Sequence, residues 1–214
     1  MDFLIIKQGI PLLLHGALIS LEISLLAILF GTILGFLLTL MRLSHSNVLK
    51  GVSVTYVWAI RGLPVLILLF LIYYTTPFGI RLSSFVAGVL GLTINAAAFK
   101  AEIIRSGMLA VPKGQIEAAE AIGMNPLRVM FHVRIPQAVR IIIPPYISNC
   151  IAILKESAMV SVITVPDLMM NAQSLYSSTY KPLETLGVAA VLYLVMTSVI
   201  MLIQIFAEKK LQIK

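Results

Sequence analysis

The feature that most constrains this chain is a set of apolar runs, each long enough to cross a membrane. A helical crossing needs about 20 apolar residues, and hydropathy places five such runs in the 214-residue sequence. Because lipid offers no hydrogen-bond partners to the backbone, each run is expected to be helical. We therefore predict an all-α integral membrane protein with five transmembrane helices. The predicted spans are 18–41, 54–75, 84–104, 138–155 and 186–206.

The composition supports the same class of protein. Hydrophobic residues make up 59% of the chain and charged residues only 12%, with a mean hydropathy of +1.01. A soluble domain of this composition would lack enough polar surface, which excludes a soluble enzyme, a disordered chain and a nucleic-acid-binding module. The formal net charge of +7 then indicates cations on cytoplasmic loops and no nucleic-acid partner. The single cysteine, Cys150, is expected to be a small core residue.

The charges between the spans predict the direction in which the chain crosses the membrane. Cytoplasmic loops retain an excess of Lys and Arg, so the side with more cations is expected to be inside. The N-terminus is then outside and the C-terminus cytoplasmic, as an odd number of spans requires. Ten cations fall on the inner side: Arg42, Lys50, Arg105, Lys113, Arg128, Arg134, Arg140, Lys209, Lys210 and Lys214. Three fall on the outer side: Lys7, Arg81 and Lys181.

Two of the spans contain predicted breaks. Residues 61–64 interrupt the second span and Pro144-Pro145 the fourth, because proline removes a backbone donor. Arg61 would lie inside the second span, where a cation costs about 2.5–3.5 kcal/mol, so it should face water, a carboxylate or free carbonyls. In the first span, the spacing of Gly31 and Gly35 allows a close helix approach, although ordinary intramembrane glycines are the alternative.

Residues 105–137 form the longest stretch between spans, and they predict two short helices joined by a tight turn. Alanine and glutamate favour the first helix, and Gly123 suits the position just after its end. Asn125, followed by proline, fits the N-cap of the second helix. Ile135-Pro136 is expected to close that helix, since a residue before proline avoids the α region.

The first of these short helices needs a partner for its apolar side. Ile116, Ala119 and Ile122 can share one face, with Ala118 beside them. A helix of about ten residues is marginal alone in water. It is expected either to lie on the membrane surface or to dock into a groove on a cytoplasmic protein.

A fixed spacing of residues marks this same loop. Glu117-Ala118-Ala119 is followed after three residues by Gly123 and, nine residues later, by Val133-Arg134-Ile135-Pro136. This arrangement resembles the EAA loop of ATP-binding-cassette importer permeases. The family pattern is Glu-Ala-Ala, three residues, Gly, nine residues, Ile, one residue, Leu-Pro, so two positions carry conservative replacements.

Further segments resemble the polar-amino-acid branch of that family, over about residues 15–206. The resemblance implies a type I importer permease core, with residues 1–214 as one transmembrane domain and 105–137 as its coupling loop. Leu63 stands where the branch usually has threonine. The matching segments are Arg61-Gly62-Leu63-Pro64, residues 102–107, residues 111–115 and residues 154–159.

The resemblance also implies the partners. The chain would pair with a second permease, identical or related, in a bacterial cytoplasmic membrane. A cytoplasmic ATPase dimer would use ATP and Mg²⁺, and an extracytoplasmic binding protein would deliver the amino acid. Because the sequence has no Gly-x-x-x-x-Gly-Lys-Ser/Thr loop to bind phosphates, no catalytic residue, cofactor or metal is expected in this chain. The residues expected to couple to the ATPase are Gln115, Glu117, Ala118, Ala119, Gly123 and Pro136.

Candidate solute-path residues are the charges at the breaks and ends of spans. An amino acid needs a cation for its carboxylate and an acceptor for its ammonium group. The cations are supplied by Arg61 and Lys155, and the acceptor by Glu156. The next residue, Ser157, is a further candidate. Charges at membrane depth are costly unless they are paired or hydrated, so these residues are candidates for the solute path. For Arg61 the alternative is that it snorkels to the membrane surface or bonds to the free carbonyls of the broken helix.

The sequence also predicts the location of two other polar regions relative to the membrane. Residues 157–181 are less apolar than the spans and fit an amphipathic or re-entrant outer gate, because irregular backbone at depth must line protein or water. An ordinary outer loop is the alternative. Lys100 and Glu102, near the inner end of the third span, are expected to snorkel toward the membrane surface.

A subunit of an ion-gradient-driven secondary transporter is the alternative function. That class commonly contains two repeated halves with matched broken helices. Five spans do not divide evenly, and the sequence shows no convincing repeat.

Overall fold

The structure, a computed structural model, describes residues 3–75 and 79–211. Within these ranges every regular element is helical, which confirms the predicted all-α fold. The elements in chain order are α1 (Phe3–Leu43), α2 (Asn47–Gly62), α3 (Val65–Tyr74), α4 (Ser84–Leu109), α5 (Lys113–Ala121), α6 (Pro126–Val129), a π turn (Met130–Arg134), α7 (Ile135–Glu156), a 3-10 helix (Ser157–Ile163), α8 (Leu168–Thr179) and α9 (Pro182–Lys210).

Among the described residues, four helical stretches are long and apolar enough to cross a membrane. The pair α2 and α3 would make a fifth crossing, although the two helices meet at an angle of 103°. Each predicted span coincides with one of these five units, the second ending one residue past α3. The helices continue past the predicted ends because their hydrogen-bond ladder extends into turns that carry polar residues. The four stretches are Ile6–Leu43, Ser84–Leu109, Pro126–Ile163 and Pro182–Lys210.

The predicted break in the second span is present. Gly62 ends α2, and Leu63 has an extended backbone with φ −100° and ψ 136°. Pro64 then precedes α3. The geometry follows from the proline, whose ring disfavours the α conformation in the residue before it.

The break that Pro144-Pro145 predicted in the fourth span is absent. Helix α7 runs unbroken through Pro144 and Pro145. These prolines remove hydrogen bonds only to the carbonyls of Arg140 and Ile141, two exposed residues, so the carbonyls are not enclosed by the core. A single helical rod therefore replaces the two halves that the sequence predicted.

The helix before Pro136 does not end at Ile135, as the sequence predicted, but continues into α7. The π turn ends with the Ile135 N–H donating to the Met130 carbonyl, so the helix is locally wider where the proline enters. Pro136 lies in the first turn of α7, where its missing N–H costs little. The end of the loop 105–137 therefore continues into α7 without a break in the helix.

Helices α1 and α4 form the most extensive contact of the fold. A Cβ atom on Gly31 would lie 2.7 Å from the Ala96 Cβ, and one on Gly35 would lie 2.9 Å from the Ala97 carbonyl oxygen. Such distances leave no room for a side chain, so both glycines serve close helix approach, as the spacing predicted. Thr39 adds a 3.0 Å hydrogen bond to the Ala101 carbonyl.

Lys100 lies in the core instead of snorkelling. Its side chain is fully buried, and its Nζ lies 3.5 Å from the Tyr146 ring centroid and 3.5 Å from the Cys150 Sγ. The Tyr146 hydroxyl in turn lies 2.6 Å from the Thr32 Oγ1. The cation is stabilised by the aromatic face, and the cluster joins α1, α4 and α7. Cys150 is buried, as predicted.

Candidate functional site

Helix α5 of the loop 105–137 ends in a tight turn at Gly123. Gly123 has φ +83°, and its N–H donates to the Glu120 carbonyl at 2.9 Å. The Met124 N–H donates to the Ala119 carbonyl at 3.1 Å. This pair of bonds is the Schellman arrangement, which a glycine adopts without a Cβ penalty. The predicted helix end is confirmed.

Helix α6 begins as the sequence predicted. The Asn125 side chain accepts a hydrogen bond from the Arg128 N–H at 2.8 Å, and Pro126 lies in the first turn. This cap satisfies one of the free donors of the helix start. The turn at residues 123–125 therefore brings α5 back against α6 and the π turn.

The residues expected to couple to an ATPase divide by exposure. Ala119 is only 6% exposed, because its side of α5 packs against α6 and the π turn. The predicted apolar face is thus split, since Ile122 points outward. The exposed members of the set are Gln115, Glu117, Ala118, Gly123 and Pro136.

Two exposed apolar side chains of this loop, Leu127 and Phe131, were missed by the sequence analysis, which had named Ile122. Ile122, Leu127 and Phe131 are 80%, 71% and 62% exposed, and we call these three side chains the loop patch. The spacing of Leu127 and Phe131, four residues apart, places both on one side of a helix and could have revealed the pair. Large apolar side chains exposed together mark a surface that another molecule covers.

Arg61 and Glu156 both contact one face of α4. The Asn95 Nδ2 donates to the Glu156 Oε2 at 3.0 Å, and the Arg61 Cζ lies 5.3 Å from the Phe99 ring centroid. Since Asn95 and Phe99 are four residues apart on a helix, they lie on adjacent turns of one face. The structure therefore brings a guanidinium and a carboxylate from distant segments to neighbouring positions.

The two other predicted path residues, Lys155 and Ser157, do not share the α4 face that Arg61 and Glu156 contact. Lys155 is exposed and borders a separate recess of about 370 Å³ together with Met169 and Tyr193. Neighbouring residues on a helix do not face the same way, which accounts for its separation from Glu156. Ser157 is fully buried, and its hydroxyl donates to the Leu154 carbonyl at 2.7 Å.

Asn149 is a polar residue of α7 that the sequence analysis did not single out. Its Oδ1 is buried and accepts no hydrogen bond. Asn149 and Glu156 are seven residues apart, two turns along the same face of α7. A buried acceptor without a donor is costly, which makes this oxygen a candidate binding group.

Glu102 is ion-paired instead of snorkelling freely. The Arg42 Nη1 lies 2.9 Å from the Glu102 Oε2, and Arg105 donates to both oxygens of the same carboxylate. The pairs join the last turn of α1 to α4 beside the loop 105–137. Within residues 3–75 and 79–211, no three His, Cys, Asp or Glu side chains cluster as metal ligands.

The connection between α7 and α9 is an ordered helical segment. Asp167 is fully buried and caps α8 by accepting from the Met170 N–H at 2.9 Å. Its second oxygen accepts from the Tyr193 hydroxyl at 3.4 Å. Burial raises the pKa of Asp167 to about 6, against the opposing effect of these donors. An ordinary surface loop, the alternative considered from the sequence, does not describe this segment.

Comparison with known proteins places this fold in one class, that of membrane transport subunits. A family model described as "Binding-protein-dependent transport system inner membrane component" matches residues 27–212. The putative glutamine transport system permease protein GlnP of Rickettsia bellii (strain RML369-C) is 36% identical over 201 residues, covering 93% of this chain and 92% of the relative. The arginine transport system permease protein ArtQ of Bacillus subtilis (strain 168) is 35% identical over 214 residues, covering 99% and 98%.

A solved structure agrees with these relatives. The structure described as "Crystal structure of an amino acid ABC transporter with histidines" is 39% identical and has a TM-score of 0.93, covering 98% of this chain and 99% of that one.

The chain therefore belongs to the family of binding-protein-dependent transport system inner membrane components. It is a multi-pass permease subunit of an ATP-binding-cassette importer, and as a transport subunit it is not an enzyme. The predicted resemblance is confirmed, and the alternative of a secondary transporter is not favoured. Importers of this type in general combine the permease with a separate ATPase that uses ATP and Mg²⁺, a second permease and a binding protein.

Proposed function

We propose that this permease imports amino acids, with polar or cationic ones as its substrate class. The observation that carries the proposal is the placement of Arg61 and Glu156 against adjacent turns of α4. A cation and a carboxylate so placed match the α-carboxylate and the ammonium group of an amino acid. Relatives named for glutamine and arginine transport, and a similar amino acid transporter structure, support the same substrate class.

The solute path is proposed to follow the facing sides of α4 and α7. Arg61 would meet the carboxylate, and Glu156 the ammonium or guanidinium group. The free oxygen of Asn149 would accept a further hydrogen bond on the same face of α7. Buried Ser157 would form part of the wall, and the geometry supports these residues over Lys155, which lies on another face.

The ATPase contact is proposed to lie on α5 and the loop patch. The support is the exposure of Ile122, Leu127 and Phe131 on the same loop as the exposed Glu117. Burying such side chains in a groove yields roughly 25 cal/mol per Å² of apolar area. Gln115 and Ala118 would add contacts, whereas Ala119, Gly123 and Pro136 would shape the loop that presents them.

The assembly is proposed to contain two ATPases, a second permease that is identical or related, and an outer binding protein. The N-terminus would be outside and the C-terminus cytoplasmic, which puts α5 on the ATPase side. The support for this orientation is the excess of ten inner over three outer cations. ATP and Mg²⁺ would bind only in the partner ATPase.

Co-expression of the tagged chain with the ATPase and binding protein of an amino-acid importer from the same organism tests the proposal. We expect the ATPase to copurify, and liposomes holding the complex to take up labelled arginine or glutamine only with ATP and Mg²⁺. Glu117→Lys should reduce ATPase recovery, whereas Gly114→Ala, on the same helix with open space around it, should not. Uptake that follows an ion gradient without ATP would contradict the proposal.

A further inference from the structure

One face of α4 receives charged side chains from three other helices. Asn95, Phe99 and Glu102 follow one another at spacings of four and three residues, which places them on one side of a helix. Asn95 donates to Glu156 of α7, and the ring of Phe99 lies against Arg61 of α2. Glu102 pairs with an arginine of α1. The face that carries the proposed solute groups therefore continues toward the C-terminal end of α4.

Two guanidinium groups converge on Glu102. The Arg42 Nη1 donates to the Glu102 Oε2 at 2.9 Å, and the Arg105 Nε donates to the same oxygen at 3.2 Å. Arg105 also donates to the Glu102 Oε1. Because the two arginines share one acceptor oxygen, their guanidinium groups lie side by side. We call Arg42 and Arg105 the arginine pair.

The arginine pair retains the capacity to bind an anion. A guanidinium carries five N–H donors, and within the described residues Arg42 uses one of them and Arg105 two. Each of the two side chains is 25% exposed, so the remaining donors are not enclosed by the core. Two cations against one carboxylate also leave a local charge of +1. Spare donors and spare positive charge thus occur at the same place.

The arginine pair lies close to the groups that are proposed to hold the solute. Glu102 is three residues beyond Phe99 and seven beyond Asn95, which corresponds to about 4.5 and 10 Å along the axis of a helix. The arginine pair is therefore one to two turns further along α4 than Arg61 and Glu156. A solute that leaves Arg61 along this face meets the arginine pair next.

We propose that Arg42 and Arg105, held side by side by Glu102, form a second binding position for the α-carboxylate of the transported amino acid. Arginine recognises a carboxylate through paired, charge-assisted hydrogen bonds. Since the group that is bound is shared by all amino acids, this position accepts the solute whatever its side chain. The inference rests on the proposed function, because it takes the solute from the site at Arg61.

A cysteine at Ser106 reports whether the position is occupied. Ser106 is exposed, follows Arg105 directly, and lies one turn beyond Glu102 on the same face of α4. The purified complex with its ATPase carries Cys150→Ala and Ser106→Cys, and the rate of maleimide labelling is measured without ATP. We expect arginine to slow the labelling in a saturable way. Agmatine, which is arginine without its α-carboxylate, should not slow it.

Substitutions of Arg42 measure the contribution of the arginine pair. Arg42→Gln should raise the arginine concentration that gives half of the protection about tenfold, as the loss of a charge-assisted hydrogen bond implies. Arg42→Lys keeps a cation beside Glu102 but loses the planar fork, and it should lie between Arg42→Gln and the wild type. Arg140→Gln is the control, since it removes an exposed arginine of α7, and it should leave the protection unchanged.

Thermal unfolding of the same complexes separates binding from bracing, because the Arg42–Glu102 ion pair also joins α1 to α4. Arg42→Lys preserves an ion pair, so it should unfold close to the wild-type temperature and still require several-fold more arginine for half of the protection. Wild-type protection in both Arg42→Lys and Arg42→Gln would reduce the arginine pair to a brace between the helices and overturn the inference.

Arg61→Gln distinguishes the second position from the first. It should leave the protection of Ser106 by arginine unchanged, because the arginine pair is intact. A loss of protection equal to that in Arg42→Gln would mean that a solute held at Arg61 shields the reporter, and it would overturn the second position.

Two further comparisons complete the test. Nanodiscs of phosphatidylcholine with and without phosphatidylglycerol should give the same labelling rate at Ser106. Slowing by phosphatidylglycerol, with no effect of arginine, would assign the arginine pair to a lipid phosphate and overturn the inference. If the complex imports no amino acid while arginine still protects Ser106, the proposed function fails and the binding position stands. Uptake without any protection of Ser106 would remove the second position alone.

Discussion

At the scale of single residues, Gly123 and Gly114 allow the effect of backbone conformation to be measured apart from the effect of space for a side chain. A Cβ atom at Gly123 or at Gly114 would meet nothing within 4 Å, but only Gly123 has a positive φ, +83°. Both glycines lie in the loop 105–137 and both are exposed. They differ therefore in conformation alone, which makes them a matched pair.

We expect Gly123→Ala to destabilise the end of α5 by about 1–2 kcal/mol, because a Cβ atom disfavours the left-handed conformation. Gly114→Ala should be neutral or slightly stabilising, since alanine favours a helix. Limited proteolysis of the loop, together with ATPase recovery at matched permease levels, measures the difference. Equal protease sensitivity of the two variants would show that the turn does not need glycine.

Glu156 carries the prediction about solute selection. Glu156→Gln keeps the size of the side chain and its contact with Asn95 but removes the negative charge. Because a hydrogen bond to a charged group contributes roughly 1.5–3 kcal/mol, uptake of arginine should fall about tenfold or more, and uptake of glutamine less. Reconstituted complexes of equal thermal stability provide the measurement.

Glu22→Gln is the control for this prediction. Glu22 is an exposed carboxylate on α1, a different helix from those that carry Glu156 and Asn95. The substitution should leave both uptake rates unchanged. Wild-type rates for arginine and glutamine in stable Glu156→Gln complexes would remove this residue from the solute path.

At the scale of elements, the contact between α1 and α4 decides how the bundle is held. Gly35 allows that contact, because a Cβ atom there would lie 2.9 Å from both the Ala97 oxygen and the Lys100 Cβ. The backbone of α4 cannot move away without disturbing Lys100, whose cation lies against Tyr146. Close packing and a buried charge thus depend on each other.

We expect Gly35→Ala to destabilise the permease by about 1–3 kcal/mol, the usual cost of overpacking. Gly51→Ala is the matched control, since a Cβ atom at Gly51 would meet nothing within 4 Å. Thermal unfolding of the purified complexes in detergent distinguishes the two. A melting temperature for Gly35→Ala equal to that of Gly51→Ala would contradict the proposed role of the glycine.

At the scale of the whole molecule, the orientation in the membrane is the property with the widest consequences. The loop 105–137 and the connection between α7 and α9 lie at opposite ends of α7. If the first is cytoplasmic, the second is outside. A single experiment on α7 therefore decides the side on which ATPase and binding protein meet the chain.

We expect an impermeant thiol reagent to label a cysteine at Ser177 in intact cells and to leave one at Pro126 unlabelled until the cells are opened. Both positions are exposed, and Cys150→Ala removes the native thiol. Labelling at Pro126 with none at Ser177 in intact cells would reverse the orientation. A detergent-treated sample controls for reactivity at each position.

Local sequence patterns were enough to predict the class, the helical spans and the ends of α5 and α6. These properties depend on neighbours within a few residues: apolar runs exceed the length of a crossing, Gly123 ends a helix, and Asn125 begins one. The EAA spacing, also local, identified the permease family. The same local rules failed at Pro136 and in α7, where the π turn accommodated a proline that the rules treat as a break.

Which polar groups contact each other across the helices depends on the tertiary packing. Asn95 and Glu156 are 61 residues apart in the chain and Ser20 and Leu168 are 148 apart, so no window of sequence contains either pair. Lys100 could be expected to snorkel until the ring of Tyr146 was found against its ammonium group. The physical reason is general: a buried charge or hydrogen-bonding group is stable only with a specific partner, and helix packing chooses that partner.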